Sequence, residues 1–367
     1  MQTIKHVINK IAKRSSIIRS INHNNNCKRL SSIAFNQPLS GNTMPRAGNT
    51  AETSGTFMRL PSTPLHKINE LDVCILGIPM DIGTSLRPGT RFGPRQVRQE
   101  SAMLRPYNMA TMAKPFDSLN IGDIGDVPIN TFDLKKSVDI ITNFFTDNIL
   151  NSTSSPPSSG NNKIPITIGG DHTIALPILR AMKEKYGPVA LIHVDAHADV
   201  NPEMFGEQIA HGTPFYRAVE EELIDCNNVF QIGLRGTGYA AEDFDWCRNK
   251  FGKNNVITAE EIWGKSLTGL MERIRSHIGE TKPVYLSYDI DSLDPAFAPG
   301  TGTLECGGLT IYQAFEIIRG LKGLNLIGCD LVEVSPPFDM NGTTALTASN
   351  LMYEMLCVLP GVKYGNE

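Results

Sequence analysis

From about residue 71, short runs of apolar residues alternate with longer stretches in which apolar positions return every three or four residues. Val73-Cys74-Ile75-Leu76-Gly77-Ile78, Ile164 to Ile168, Val189 to Val194, Val229 to Gly233, Val284 to Tyr288 and Leu326 to Val332 are near-continuous, the pattern of strands buried on both faces. Between them, Gly93-Pro94 opens a helix with proline near its first turn, and residues 133 to 149 carry helical spacing. Residues 173 to 185 run from a threonine cap into Leu176, Leu179 and Met182. This alternation predicts an α/β fold, a parallel sheet covered by helices on both faces, with functional residues beyond the carboxyl ends of the strands.

Three runs end in acidic and imidazole side chains. Gly169-Gly170-Asp171-His172 follows the second run, Asp195-Ala196-His197-Ala198-Asp199 continues the third, and Asp289-Ile290-Asp291 continues the fifth. Period-two alternation puts Asp195, His197 and Asp199 on one side of their strand, and Asp289 with Asp291 on one side of theirs. Three neighbouring strands are therefore expected to deliver these five residues and His172 to one crevice. Four carboxylates in one crevice could not all stay ionised, since like charges raise each other's pKa. Two divalent cations balance them, and two neutral imidazoles complete the shells. Oxygen-rich donors without a thiolate favour Mn²⁺ over structural zinc. His193 is read as out of phase with the ligands and turned into the core, and His277 as a solvated helix residue.

Composition narrows the picture. A chain of 367 residues, 41% hydrophobic and 20% charged, makes one large soluble domain or two small ones. No apolar run approaches the roughly 18 residues of a membrane span. The net charge of −4 hides an asymmetry: the first 51 residues hold eight bases and no acid, leaving 26 bases against 38 acids from Glu52 onward. With the basic charge confined to a tail, no nucleic-acid groove is expected. Ile4, Val7, Ile8, Ile11 and Ile18 recur near helical spacing among Lys5, Lys10, Lys13 and Arg14, the pattern of a mitochondrial transit peptide; a disordered basic tail is the alternative. The expected organisation is a targeting tail over residues 1–50, import into the mitochondrial matrix, and one catalytic domain over 55–367. Seven scattered cysteines read as buried thiols in a reducing compartment, not as a disulfide frame. Residues 151 to 162 read as a polar surface loop.

Together with Ser287-Tyr288-Asp289-Ile290-Asp291-Ser292-Leu293-Asp294-Pro295 and Ala298-Pro299-Gly300-Thr301-Gly302, these signatures closely resemble the arginase and agmatinase family of ureohydrolases, from about residue 55 to the C-terminus. The resemblance implies a three-layer α/β/α sandwich, two Mn²⁺ per subunit, a homo-oligomer (trimer or hexamer), and removal of urea from a guanidinium group. Matched by position, His172, Asp195, His197, Asp199, Asp289 and Asp291 become the metal ligands. By the same resemblance Glu333 is expected to orient the guanidinium and His211 to supply the proton to the leaving amine, with Asp199 among the catalytic residues as well. Asp171 is either an orienter of a ligand or a helix cap. Asn201 stands where arginases hold the far end of the substrate; Arg217 would meet a substrate carboxylate or be a solvated helix arginine.

Thr84 to Arg95, Glu100 to Arg105, Phe35 to Pro38 and Phe57 to Pro61 look like the mitochondrial agmatinase-like proteins and bacterial guanidino-acid hydrolases. The expected reaction is hydrolysis of a small guanidino-alkyl compound to urea and an amine: agmatine to putrescine by nearest name, with 4-guanidinobutyrate or 3-guanidinopropionate close behind. A metal-binding regulatory relative without catalysis, and a one-metal zinc deacetylase, are the alternatives.

Overall fold

Among the described residues, eight strands pair in parallel in one sheet: β1 (Val73–Gly77), β2 (Ile121–Asp126), β3 (Ile164–Ile168), β4 (Val189–Val194), β5 (Ile224–Leu234), β6 (Val256–Thr258), β7 (Pro283–Asp289) and β8 (Asn325–Val332). Their order across the sheet is β2-β1-β3-β8-β7-β4-β5-β6. The computed structural model describes residues 36–39, 55–151, 163–238, 240 and 242–365. The expected targeting segment, residues 36–39 apart, and all but the first residue of the polar loop at 151–162 lie outside the described residues. The described residues belong to one compact unit. Asn36 and Gln37, assigned to the tail from sequence, hydrogen-bond to Asn120, Ile121 and Phe116.

The near-continuous apolar runs are explained by burial on both faces. Val73 and Ile75 of β1 and Ala190, Ile192 and Val194 of β4 enter one apolar cluster, whereas Cys74, Leu76, Val189 and Leu191 enter a second. Helices α1 (Gly93–Ser101), α8 (Thr268–Ile278), α9 (Ile311–Gly320) and α10 (Thr343–Cys357) close the first through Val97, Ile274, Ile317 and Leu351. Helices α3 (Leu134–Phe144), α4 (Ala175–Tyr186), α5 (Pro214–Glu220) and α6 (Asp245–Phe251) close the second through Ile141, Leu179, Ala218 and Phe251. Two four-residue helices, α2 (Pro115–Ser118) and α7 (Ala259–Ile262), complete the set among the described residues. The result is the expected three-layer α/β/α sandwich. No helix among the described residues is long and apolar enough to cross a membrane; the six described cysteines are free, but Cys306 is exposed and Cys226 half-buried, where burial was expected.

Three expectations need correction. Strand β3 is not a neighbour of β7, because β8 lies between them; four consecutive strands, β3-β8-β7-β4, carry the site. Strands β2 and β6 escaped the apolar pattern, the first because Gly122, Asp123, Gly125 and Asp126 interrupt it and the second because it is three residues long. Asp171, not Thr173, is the cap before α4: its Oδ1 accepts the Thr173 N–H at 3.0 Å. Chain packing beside this cap is tight. A Cβ at Gly170 would lie 2.1 Å from the Met80 carbonyl oxygen and 2.8 Å from that of Ile78, so the turn delivering His172 admits only glycine.

Candidate metal centre and catalytic cleft

The turns after β3, β4 and β7 bring the six expected donors together. His172 Nδ1 lies 3.0 Å from Asp195 Oδ2, 2.9 Å from Asp199 Oδ2 and 3.1 Å from Asp289 Oδ2. His197 Nδ1 lies 3.1 Å from Asp291 Oδ2 and 3.5 Å from Asp195 Oδ1. Two groups of donors suited to a metal ion result: one includes His172, Asp195 and Asp199, the other Asp195, His197 and Asp291. Backbone N–H groups anchor one oxygen of three of the carboxylates: His197 N on Asp195 Oδ1 (2.6 Å), Asp291 N on Asp289 Oδ1 (2.8 Å) and Ala196 N on Asp291 Oδ1 (3.2 Å). For Asp289 and Asp291 the second oxygen is thereby turned to the imidazoles. Asp199 holds the left-handed conformation, φ 51°, which aims its side chain back at His172.

A row of polar residues crosses the sheet directly beneath these donors. Thr167 (β3), Asp330 (β8), Ser287 (β7), His193 (β4) and Gln231 (β5) are paired strand to strand in register and buried. Ser287 Oγ donates to Asp330 Oδ1 at 2.8 Å, so it accepts from His172 Nε2 at 2.9 Å; Tyr285 OH donates to the other oxygen of Asp330 at 2.7 Å. That network assigns the proton of neutral His172 to Nε2 and leaves Nδ1 as a bare lone pair. Nδ1 makes no hydrogen bond of its own, although three carboxylate oxygens surround it. A lone pair facing three carboxylate oxygens at about 3 Å is repulsive unless a proton or a metal cation sits among them, and a donor set that converges on one point in this way fits a metal.

The electrostatics agree. Burial, and then the charges of Asp291 and Asp195, push the Asp289 carboxyl well above the usual range; burial also raises Asp291 against the pull of His197. Asp195 resists its burial because His193, His172 and His197 hold it well below the usual carboxylate range. His193 is a correction to the sequence reading. It stands two residues before Asp195 and shares its face; its Nε2 is 2.7 Å from Asp195 Oδ2, while Gln231 Nε2, which also donates to the Ala198 carbonyl, meets its Nδ1 at 3.1 Å. Gln231 thus leaves the His193 proton on Nε2, where it donates to a ligand oxygen. Strand parity was the signal that could have found it, and the cross-strand register adds Ser287 and Asp330.

Glu333 follows β8 with φ 63°. Its Oε1 accepts the His172 N–H at 2.9 Å and faces His211 Nδ1 at 3.1 Å, while Oε2 is buried with no hydrogen-bond partner. Burial lowers the affinity of His211 for a proton, but Glu333 outweighs it and carries the pKa to about 9. Asp171 is raised to about 6 by burial and by Glu333; its oxygens cap Gly83 and Thr173. The cap reading therefore holds for Asp171.

His197, Asp199, His211, Asp289, Asp291 and Glu333 line a cleft of roughly 930 Å³ that also includes Ser85, Asn201, Arg235 and Glu305. Asn201 faces the cleft, its amide tied to the Gly212 carbonyl at 3.1 Å. Arg217 does not line it: its guanidinium is held by Glu220 at 2.7 Å and by the Pro202 carbonyl at 2.8 Å. Arg235, unmarked by the sequence reading, donates to the carbonyls of Gly233, Asp291, Ser292, Leu293 and Glu305 and so clamps the turn that carries Asp291. His277 lies far from this chemistry, exposed on α8 and bonded to the Asn227 carbonyl.

Comparison with known proteins gives a consistent result. The sequence profile of the arginase family matches residues 71–357. A guanidinobutyrase of Pseudomonas aeruginosa is 61% identical over 329 residues, covering 89% of this chain and 98% of the relative. A mitochondrial agmatinase of Gallus gallus is 49% identical over 337 residues, covering 92% and 93%. Among solved structures, the proclavaminate amidino hydrolase of Streptomyces clavuligerus superposes with a TM-score of 0.74 at 37% identity, covering 85% of this chain and 97% of that one.

Proposed function

Since the chain belongs to the arginase family, we propose that it hydrolyses the guanidinium C–N bond of a guanidino-alkyl compound, releasing urea and an amine, with 4-guanidinobutyrate as its first substrate. The observation that carries the reading is the buried, unpartnered Oε2 of Glu333 beside the donor cluster. An unpaired carboxylate oxygen is costly to bury, and a planar cation with N–H donors is the partner it lacks. The 61% identical guanidinobutyrase supports the choice of tail.

His172, Asp195, Asp199 and Asp289 would hold one divalent cation, and Asp195, His197 and Asp291 the other; the oxygen-rich shell favours manganese. Bound there, the pair would supply Lewis acidity and lower the pKa of water. The protein's own groups do the rest. Glu333 would bind the guanidinium and set its plane, and its charge keeps a proton on His211 at neutral pH. His211 would pass that proton from Nε2 to the nitrogen that departs as amine. Arg235 and the backbone anchors hold Asp291 and Asp195 in place, so the site is organised before substrate enters.

Agmatine is the second reading. The cleft wall carries Glu305, and the guanidinium of Arg235 is engaged by carbonyls, so an amine tail would meet a favourable charge. The agmatinase relative supports the same tail. Urea release from 4-guanidinobutyrate, 3-guanidinopropionate, agmatine and arginine by Mn²⁺-loaded protein separates the cases. Turnover of guanidino acids ahead of agmatine is expected; turnover of arginine alone would overturn the substrate reading, and metal binding without urea from any guanidine would favour a regulatory relative.

The basic tail supports import into the mitochondrial matrix, and the name of the Gallus relative points the same way. Loss of import on removing residues 1–35 is the test. A trimeric or hexameric assembly completes the proposal, tested by light scattering on the purified protein.

A further inference from the structure

Two ring nitrogens of His211 need partners, and only one of them is supplied by Glu333. The other, Nε2, meets a single residue twice: the Ser85 backbone nitrogen at 3.2 Å and the Ser85 hydroxyl at 2.7 Å. Ser85 sits in the loop between β1 and α1. That loop is fixed at Gly83, whose N–H donates to Asp171 Oδ2 at 2.9 Å and whose carbonyl accepts the His211 N–H at 3.0 Å. The ring is buried, whereas Ser85 is exposed and lines the cleft, so Ser85 stands between the imidazole and the solvent side of the site.

Neutral and protonated imidazole require opposite partners at this nitrogen. A backbone N–H can only donate, so it matches the lone pair of the neutral ring and leaves the remaining proton on Nδ1, toward Glu333. A hydroxyl can donate to the neutral ring as well, but only it can accept from the N–H of the protonated ring, and that charge-assisted bond is the stronger of the two. We propose that Ser85 is a positioning residue for the proton on His211: its backbone N–H serves the neutral ring and its hydroxyl the cation, which lets His211 release and regain a proton at Nε2 without moving. The inference rests on the reading of His211 as proton donor. Charged groups facing the ring are Glu333 on Nδ1, Asp199 beyond β4, and Asp171 under the Gly83 loop; all three favour the cation, and none touches Nε2.

The hydroxyl is separable from the backbone. Ser85→Ala keeps the N–H that supports the neutral ring and removes the acceptor that supports the cation, so the His211 pKa falls by about one unit, the worth of one hydrogen bond to a charged group. Ser85→Thr keeps both. Because Ser85 is exposed, the alanine variant opens no buried void.

The test uses the full chain loaded with Mn²⁺. Diethyl pyrocarbonate acylates neutral imidazole, and mass spectrometry of the His211 peptide across pH gives the midpoint without turnover. The expected midpoint moves down by about one unit in Ser85→Ala and stays with the wild type in Ser85→Thr. In parallel, the alkaline limb of urea release moves with it, kcat on that limb falling about tenfold while KM changes less than about twofold. Coincident midpoints in wild type and Ser85→Ala would overturn the inference and leave the hydrolase reading intact. A shifted midpoint in a protein that releases no urea would support the inference and overturn the hydrolase reading instead.

Discussion

Two side chains divide the chemistry at the scale of single residues. Glu333 has one oxygen committed to His172 and His211 and the other free of partners, so its charge and not its shape is what a guanidinium would recognise. Glu333→Gln is isosteric and uncharged; kcat/KM is expected to fall about a hundredfold, with metal content unchanged, as urea assays and metal analysis on the same preparation would check. His193 acts one step further out. Its Nε2 hydrogen bond to Asp195 Oδ2 orients a carboxylate shared by both donor groups. His193→Ala is expected to weaken Mn²⁺ binding by about 10- to 100-fold in a metal titration, the usual effect of losing a partner behind a ligand. Unchanged affinity would make His193 a core residue after all.

At the scale of elements, the sequence was most informative where one physical demand dominated. Strands β1, β3, β4, β7 and β8 are buried on both faces, and their apolar runs declared them; β2, with two glycines and two aspartates, and the short β6 did not. Five of the six donors were grouped in sequence by an assumed period two beyond β4 and β7; the chain instead turns there, with Asp199 at φ 51° and Asp291 in a single helical turn, and the donors converge through those turns. What stayed hidden depends on contacts between strands: the insertion of β8 between β3 and β7, the polar row from Thr167 to Gln231, and Arg235 holding five carbonyls. Of the two readings of Arg217, the cleft role rests only on its nearness to His211 in the chain; Glu220, one helical turn on, and the Pro202 carbonyl already hold its charge. The turn after β3 is the element most sensitive to change. Gly170→Ala would drive a Cβ into the Met80 carbonyl and is expected to destabilise the fold by about 1–3 kcal/mol, the cost of overpacking, measured by denaturant unfolding. A neutral result would mean that the turn can relax away from Met80.

For the whole molecule, the donor cluster links metal, stability and pH. Without cations, Asp289 and Asp291 are raised by burial, and His172 and His197 are raised well above the ordinary imidazole range by their carboxylates against the opposing effect of burial. A group whose folded pKa is raised favours the native state at low pH and loses that contribution as pH climbs from its unfolded to its folded value. Asp195, depressed, works in the opposite sense only below about pH 4. Chelated protein is therefore expected to lose thermal stability most steeply between about pH 6.5 and pH 8, where the unfolded imidazoles as well as the unfolded carboxylates have given up these protons. Mn²⁺ at about a hundred times its Kd would restore roughly 3 kcal/mol. A melting temperature of the chelated protein that rises over that interval would contradict this linkage.

Metal content measured by inductively coupled plasma mass spectrometry, on full-length protein dialysed after Mn²⁺ loading, bears most directly on the central claim. Two manganese ions per chain are expected in the wild type, and one or none in Asp195→Ala, since Asp195 belongs to both donor groups. A wild type that retains no manganese, or an Asp195→Ala variant that still retains two ions, would contradict it.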